Sequence, residues 1–144
     1  MFRTIGGIVV GYVAMVVFIA FSFTVALFVL GVDRTFRPAT YDVTTLWLVV
    51  SLALSVVSAL LGGKVCRMIS QRPSAVRLLA ALVLILGLAS AILGMRTSTD
   101  VPPLRPPDVS TVQAGMYAKE PRWFLFLLPV IGVIGVTIGG RRKT

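Results

Sequence analysis

The residues best suited to chemistry are charged side chains at the ends of long apolar stretches. Asp33 and Asp42 flank the first gap between such stretches, and Arg96, Glu120 and Arg122 flank a longer one. Together they could form a charged pocket on one side of a membrane, roofed by the longer gap. The alternative is a set of surface ion pairs that fix the loops, each worth about 0–1 kcal/mol. We favour the ion pairs, because charges are normal where spans meet water.

Several classes of chemistry lack the residues that they need. The chain has no histidine, and Cys66 is its single cysteine. Histidine-based acid–base catalysis and metal sites of the usual Cys/His spacing are therefore excluded. No charged residue lies in the middle of an apolar stretch, whereas proton- or ion-coupled transporters usually need such a group. We therefore expect no enzymatic activity, no cofactor and no bound metal.

The composition indicates an integral membrane protein. Hydrophobic residues make up 57% of the chain and charged residues 13%, with a mean hydropathy of +0.96. Soluble domains carry about 25% charged residues. A net charge of +9 would suggest a nucleic acid partner if the protein were soluble. Here the basic residues border apolar stretches, so membrane topology and anionic lipid explain them better, and we expect no nucleic acid partner.

The apolar stretches predict one domain, residues 1–144, that folds as an all-α integral membrane bundle of four antiparallel transmembrane helices. The expected spans are residues 4–32, 43–63, 75–95 and 123–140. The first is longer than the apolar part of a signal peptide, about 7–15 residues, so we expect it to remain uncleaved. We expect Asp42 to be the N-cap of the second span and Ser74 that of the third.

Residues 96–122 form the largest loop, and we expect it outside the cytoplasm. The prolines between positions 102 and 107 predict an extended first half. In the second half, Ser110 and Gln113 fit a capping box, and Val109, Val112 and Met116 share one face at helical spacing. We therefore predict a short amphipathic helix over residues 109–119, lying on the membrane surface or over the mouth of the bundle.

The basic residues predict the orientation. With a cytoplasmic N-terminus, short inner segments hold most Lys and Arg, and every acid lies outside. Both termini are then cytoplasmic, and the plasma membrane, for a bacterium the inner membrane, is the expected location. The inner basic residues also suit anionic lipid headgroups, although orientation alone would explain them. The candidate lipid contacts are Lys64, Arg67, Arg72, Arg77, Arg141, Arg142 and Lys143.

Small side chains recur at helical spacing in every span. Such faces let helix backbones approach closely, which is the main use of small residues in membranes. A polar path lined by serine hydroxyls is the alternative, and we favour packing because hydroxyls can bond back to their own helix. The predicted packing seam consists of Gly7, Gly11, Ser51, Ser55, Ser58, Gly62, Gly87, Gly94, Gly132, Gly135 and Gly139.

These observations predict a non-enzymatic accessory or structural membrane protein that acts through helix, lipid or loop contacts. The alternative is a component of a transporter or channel whose path forms by oligomerisation. An enzyme that acts on lipid ranks third, because the acids lie at the outer boundary. The expected partners are the lipid bilayer, anionic headgroups on the cytoplasmic side, and further copies of the chain or a larger membrane complex.

Overall fold

The computed structural model describes residues 2–97, 102 and 104–141. The described residues form five helices, which are α1 (Phe2–Thr35), α2 (Thr45–Ser70), α3 (Pro73–Thr97), α4 (Thr111–Met116) and α5 (Arg122–Gly139). Within the described ranges there is no strand, only two isolated β-bridges. Helices α1, α2, α3 and α5 are long and apolar enough to cross a membrane. The predicted helical class and the four membrane-length helices are confirmed.

The four long helices surround a common centre. Helix α2 packs along α1 on one side and along α5 on the other, and α3 packs along α5. Helices α1 and α3 meet over a much shorter stretch, while α1 and α5 lie diagonally opposite without close backbone contact among the described residues. Three sides of the bundle are therefore tightly packed, and the side between α1 and α3 is the weakest.

Two hydrophobic clusters lie at opposite ends of the bundle. We call the end with the turn between α2 and α3 the hairpin end, and the end with residues 36–44 and 104–121 the loop end. The hairpin-end cluster comprises Ala59, Cys66, Ala75, Val76, Leu79, Ala80 and Val136. The loop-end cluster comprises Phe36, Val43, Trp47 and Ala114.

Helix α1 runs beyond its predicted end at residue 32. Gly31 interrupts it with φ 71° and ψ 172°, a conformation that is essentially restricted to glycine. The last turn then continues to Thr35, which is fully buried. Its carbonyl accepts a hydrogen bond from the Thr44 N–H at 2.8 Å. This bond joins the end of α1 to the start of α2, a contact that no local pattern predicts.

Both predicted N-caps are wrong. The cap of α2 is Thr44 and not Asp42, because the Thr44 hydroxyl accepts a hydrogen bond from the Trp47 N–H at 3.3 Å. Helix α3 begins at Pro73, so Ser74 lies within its first turn. Proline is favoured at the first helical position because its missing N–H would have no partner there.

The two segments at the loop end form one unit, which we call the loop cap (residues 36–44 and 104–121). The Val43 N–H donates to the Lys119 carbonyl at 3.2 Å, and the Lys119 N–H donates to the Tyr41 carbonyl at 2.9 Å. Helix α4, shorter than the expected 109–119, belongs to this unit. The Ser110 hydroxyl accepts a hydrogen bond from the Gln113 N–H at 3.3 Å, and α4 lies against α1.

Candidate functional site

A charged cavity of about 330 Å³ lies beneath the loop cap. We call it the loop-end pocket; its lining residues are Arg37, Asp42, Val43, Lys119, Glu120, Pro121 and Arg122. A β-bridge pairs Asp42 with Lys119, and the Arg37 N–H donates to the Asp42 carbonyl at 2.8 Å. The backbone of the loop cap therefore brings these residues together.

The loop-end pocket carries both signs of charge. Three lining residues are basic and two are acidic, so their formal charges sum to +1 when all are ionised. Arginine and lysine both bind phosphate and carboxylate groups. The pocket can thus hold a small polar or anionic group.

Glu120 is a half-buried acid in the lining of the loop-end pocket. Burial raises the pKa of its carboxyl, and the Trp47 indole N–H lowers that pKa by a smaller amount. Trp47 is only 6% exposed, and its Nε1 atom does not reach full hydrogen-bond geometry with any described acceptor. The carboxylate form of Glu120 is therefore poorly solvated and only partly compensated.

The structure brings together only part of the predicted charged cluster. Asp42, Glu120 and Arg122 line the loop-end pocket, but Asp33 and Arg96 do not. The Asp33 carboxylate is fully exposed, and its Oδ1 atom lies 3.9 Å from Arg105 Nη2. This pair is a surface contact that contributes little, since exposed ion pairs are worth about 0–1 kcal/mol.

Three basic residues at the loop end lie outside the predicted charged cluster. Arg37 and Lys119 line the loop-end pocket, and Arg105 attaches the loop cap to the end of α1. The Arg105 side chain is 9% exposed, lies with Cζ 5.8 Å from the centre of the Phe36 ring, and donates from Nη1 to the Val32 carbonyl at 3.4 Å. Arg105 lies among prolines in a segment without helical or strand periodicity, so residue spacing could not identify it.

The predicted small residues of α1 and α2 face one another. The Ser58 hydroxyl donates to the Met15 carbonyl at 3.0 Å. A Cβ atom added to Gly11 would lie 2.9 Å from the Gly62 carbonyl oxygen, and one added to Gly7 would lie 2.8 Å from Ser70 Cβ. The two backbones are thus as close as small residues allow.

The remaining seam serines differ in their partners. Ser55 bonds back to the Ser51 carbonyl at 2.7 Å, within its own helix. The Ser51 hydroxyl is buried and has no hydrogen-bond partner among the described residues. Of these three seam serines, only Ser58 bonds to another helix among the described residues.

The predicted glycines of α3 and α5 also lie at contacts between helices. A Cβ atom on Gly132 would approach Val83, one on Gly135 would approach Ala59, and one on Gly139 would overlap the Leu60 carbonyl. On α3, Gly87 faces the Pro129 ring at 2.8 Å, while Gly94 is looser at 3.8 Å from Leu125, both measured from an added Cβ.

A second cavity, of about 310 Å³, lies at the centre of the four long helices. We call it the inter-helix cleft. Each of the four helices contributes to its walls, and no charged side chain lines it. Its lining includes Tyr12, Met15, Phe23, Ser55, Ser90 and Leu125.

The described basic residues among the predicted lipid contacts lie at the hairpin end. Lys64, Arg72 and Arg77 are exposed, and so is Arg141. Arg67 is half-buried, and its Nη1 atom is buried without a hydrogen-bond partner among the described residues. The predicted contacts Arg142 and Lys143 lie outside the described residues.

Metal ligands do not cluster in the part of the chain that the structure describes, where no group of three or more Cys, Asp or Glu residues could hold an ion. Comparison of the chain with protein-family models, with curated proteins and with solved structures found no match.

Proposed function

We propose that this protein is a non-enzymatic accessory or structural component of the plasma membrane, in a bacterium the inner membrane, that acts through helix, lipid and loop contacts. The observation that carries the proposal is the hydrogen bonding of the serine hydroxyls on α2. Ser58 bonds to α1, and Ser55 and Ser70 bond back to carbonyls of their own helix. These hydroxyls support packing and leave few free groups for a polar path.

Both chain ends are proposed to be cytoplasmic, with the helices alternating in direction. Gly7 lies against Ser70, and Gly140 lies against Val76, so the described ends of the chain share the hairpin end. In the contacts between α1 and α2, the residue number increases along α1 while it decreases along α2, from Gly7 with Ser70 to Phe23 with Trp47. The exposed basic residues at the same end favour its placement on the cytoplasmic side.

Anionic lipid headgroups are the proposed partners at the hairpin end. A lipid phosphate would accept hydrogen bonds from the accessible part of the half-buried Arg67 side chain, and the exposed Lys64 would add a second positive charge. Arginine suits this role because its planar donors match phosphate oxygens.

A component of a transporter or channel is the second candidate. It is favoured by the inter-helix cleft, whose walls include Ser55, Ser58 and Ser90. A path through this cleft would need polar lining over the whole thickness of the bundle, with the missing walls supplied by further copies. Solute flux in liposomes that contain only this protein would support that function and contradict the accessory role.

The proposed function is tested by gentle purification of the full chain from its native membrane. We expect a membrane protein to co-purify in a fixed ratio with the wild type. Two single variants locate the contact, Met116→Asp on the exposed face of α4 and Met68→Asp at the opposite end, where both side chains are strongly exposed. Loss of the partner with Met116→Asp alone supports a loop contact. Purification of the chain alone, with enzymatic activity, contradicts the proposal.

The proposed topology has its own test. In a Cys66→Ala background, Asp108→Cys places a thiol in the loop cap and Gln71→Cys places one at the hairpin end, both at exposed positions. A membrane-impermeant maleimide should label position 108 in intact cells and position 71 only after lysis. The reverse pattern would overturn the orientation.

A further inference from the structure

We propose that the inter-helix cleft takes up one acyl chain of a phospholipid from the leaflet at the loop end, and that the chain enters between α1 and α3. This inference rests on the proposed placement of the four long helices in a membrane. It adds a defined lipid site to the general lipid contacts proposed above, and the site lies at the end opposite to Arg67.

The lining of the cleft suits hydrocarbon. No charged side chain contributes to it, and two of its hydroxyls are already used, since Ser55 donates to the Ser51 carbonyl and Ser58 to the Met15 carbonyl. A cavity lined mainly by apolar side chains, with these two hydroxyls bonded elsewhere, holds water poorly and instead binds apolar molecules. Within a bilayer, the apolar molecule at hand is a lipid chain.

The cleft has an opening on one side. Leu79 of α3 lies against Gly11 of α1, which closes the bundle on the hairpin side of the cleft. Nearer the loop end the two helices separate. This is indicated by Val16 and Leu86, which line the cleft and are nevertheless 44% and 38% exposed. Ser90 also lines the cleft and is exposed. These side chains mark a mouth that faces the surroundings of the bundle.

The dimensions of the cleft suit a single acyl chain. From Tyr12 to Phe23 the cleft follows α1 for roughly 16 Å, at 1.5 Å per residue. Its volume of about 310 Å³ over that length makes the cleft a narrow slot. A helix with its side chains is about 10–12 Å wide, so neither a second copy nor a partner helix fits inside. A single acyl chain does.

Charge at the loop end of α3 complements a phospholipid headgroup. Arg96 is exposed and lies six residues beyond Ser90, which is roughly 9 Å further along the helix. An acyl chain that enters at Ser90 would therefore place its phosphate at the level of Arg96 along the axis of α3. Arg122 begins α5 beside this position, because Gly94 and Leu125 bring the two helix ends together.

The test uses the full chain in vesicles of phosphatidylethanolamine and phosphatidylglycerol. Part of the phosphatidylglycerol carries a diazirine midway along one acyl chain, and illumination links that position to neighbouring residues, which are identified by mass spectrometry. Ser90→Phe places a ring at the mouth of the cleft. Ala89→Phe is the matched control, because Ala89 is exposed on the same helix and does not line the cleft.

We expect adducts on Tyr12, Met15 and Phe23 in the wild type. Ser90→Phe should lower them about tenfold, which corresponds to about 1.4 kcal/mol of lost affinity, while Ala89→Phe should leave them unchanged. Arg96→Gln should lower the same adducts by a smaller factor. If Ser90→Phe does not fold, as judged by thermal unfolding in detergent, Ser55→Leu fills the cleft from the opposite wall and the same decrease is expected.

Adducts spread evenly over the exposed faces of the helices, or unchanged in Ser90→Phe, would overturn the inference. A disulfide-linked dimer formed by Ser90→Cys in a Cys66→Ala background would also overturn it, because a second copy would then cover the mouth. In either case, co-purification of a partner through the loop cap would still support the proposed accessory function. Failure of the acyl-chain inference can therefore be distinguished from failure of the proposed function.

Discussion

The Ser58 hydroxyl donates a hydrogen bond of 3.0 Å to the backbone carbonyl of Met15, which lies 43 positions earlier in the chain. It is a direct polar link between α2 and α1. One turn earlier on α2, the Ser55 hydroxyl bonds only to the Ser51 carbonyl of its own helix. Both residues are serines on α2, but of the two only Ser58 connects two helices.

Ser58→Ala should therefore destabilise the bundle more than Ser55→Ala. Hydrogen bonds between helices in membranes contribute about 0.6 kcal/mol on average and up to about 1.7 kcal/mol. We expect a loss of that size for Ser58→Ala and a smaller one for Ser55→Ala, measured as the free energy of unfolding in mixed micelles. Equal losses would show that the link to Met15 contributes nothing.

Gly63 is a second point of close approach, and it lies outside the predicted seam. A Cβ atom at this position would overlap the Val136 carbonyl of α5, and a backbone group cannot move aside as a side chain end can. Overpacking of this kind costs about 1–3 kcal/mol, so Gly63→Ala should lower the free energy of unfolding by at least that amount.

Gly6→Ala is the matched control for this prediction, because a Cβ atom at Gly6 meets nothing within 4 Å. Alanine is favoured over glycine in a helix by about 0.8–1.0 kcal/mol, so we expect a neutral to slightly stabilised protein in the same unfolding titration. A similar destabilisation of both variants would place the cause in α1 and α2 themselves and not in the contact with α5.

The break in α1 depends on Gly31. Its φ of 71° and ψ of 172° cost a residue with a side chain about 1–3 kcal/mol, although an added Cβ would meet no neighbour within 4 Å. Gly31→Ala should therefore be destabilising through the backbone alone. Amide hydrogen exchange should show the effect at Thr44, whose N–H bonds to the carbonyl of Thr35 in the turn after the break. Unchanged protection at Thr44 would contradict this account.

Gln71 ends α2 in the left-handed conformation, with φ 55° and ψ 11°. Its N–H donates to the Arg67 carbonyl at 2.9 Å. A side chain costs about 1–2 kcal/mol in this conformation, and glycine avoids that cost while paying some entropy. We expect Gln71→Gly to raise the free energy of unfolding by up to about 1 kcal/mol, detected as a higher melting temperature in detergent. A lower one would mean that the Gln71 side chain makes a stabilising contact.

Glu120 should give the protein a dependence on pH. Because burial raises the pKa of its carboxyl above the ordinary 4.5, the folded protein binds this proton more tightly than the unfolded chain does. Its contribution to stability is then greatest below pH 4.5 and falls as the pH rises from 4.5 through the folded pKa.

Glu120→Gln removes that decline, since an amide is close to a carboxyl group in size and does not ionise. Thermal unfolding in detergent should show the variant and the wild type to be similar at low pH, with the variant gaining relative stability as the pH approaches neutral. A stability difference that does not change with pH would mean that Glu120 titrates equally in the folded and unfolded states.

The membrane-length helices follow from the sequence alone, because hydrophobicity and helical periodicity are local properties. Long apolar stretches bounded by charges give four such helices. A spacing of three or four residues places Ser51, Ser58 and Gly62 on one face of α2, and all three are buried. The same local argument also located three members of the loop-end pocket, Asp42, Glu120 and Arg122.

Only the tertiary structure decided which of these groups meet. The hydrogen bond from Arg105 to the Val32 carbonyl joins residues 73 positions apart, and the bridge between Asp42 and Lys119 joins two separate loops. Neither contact has a repeating pattern, because each depends on how the loops close over the ends of the helices. The inter-helix cleft likewise arises from α1 and α3 separating, a relation between whole helices that no single stretch of sequence encodes.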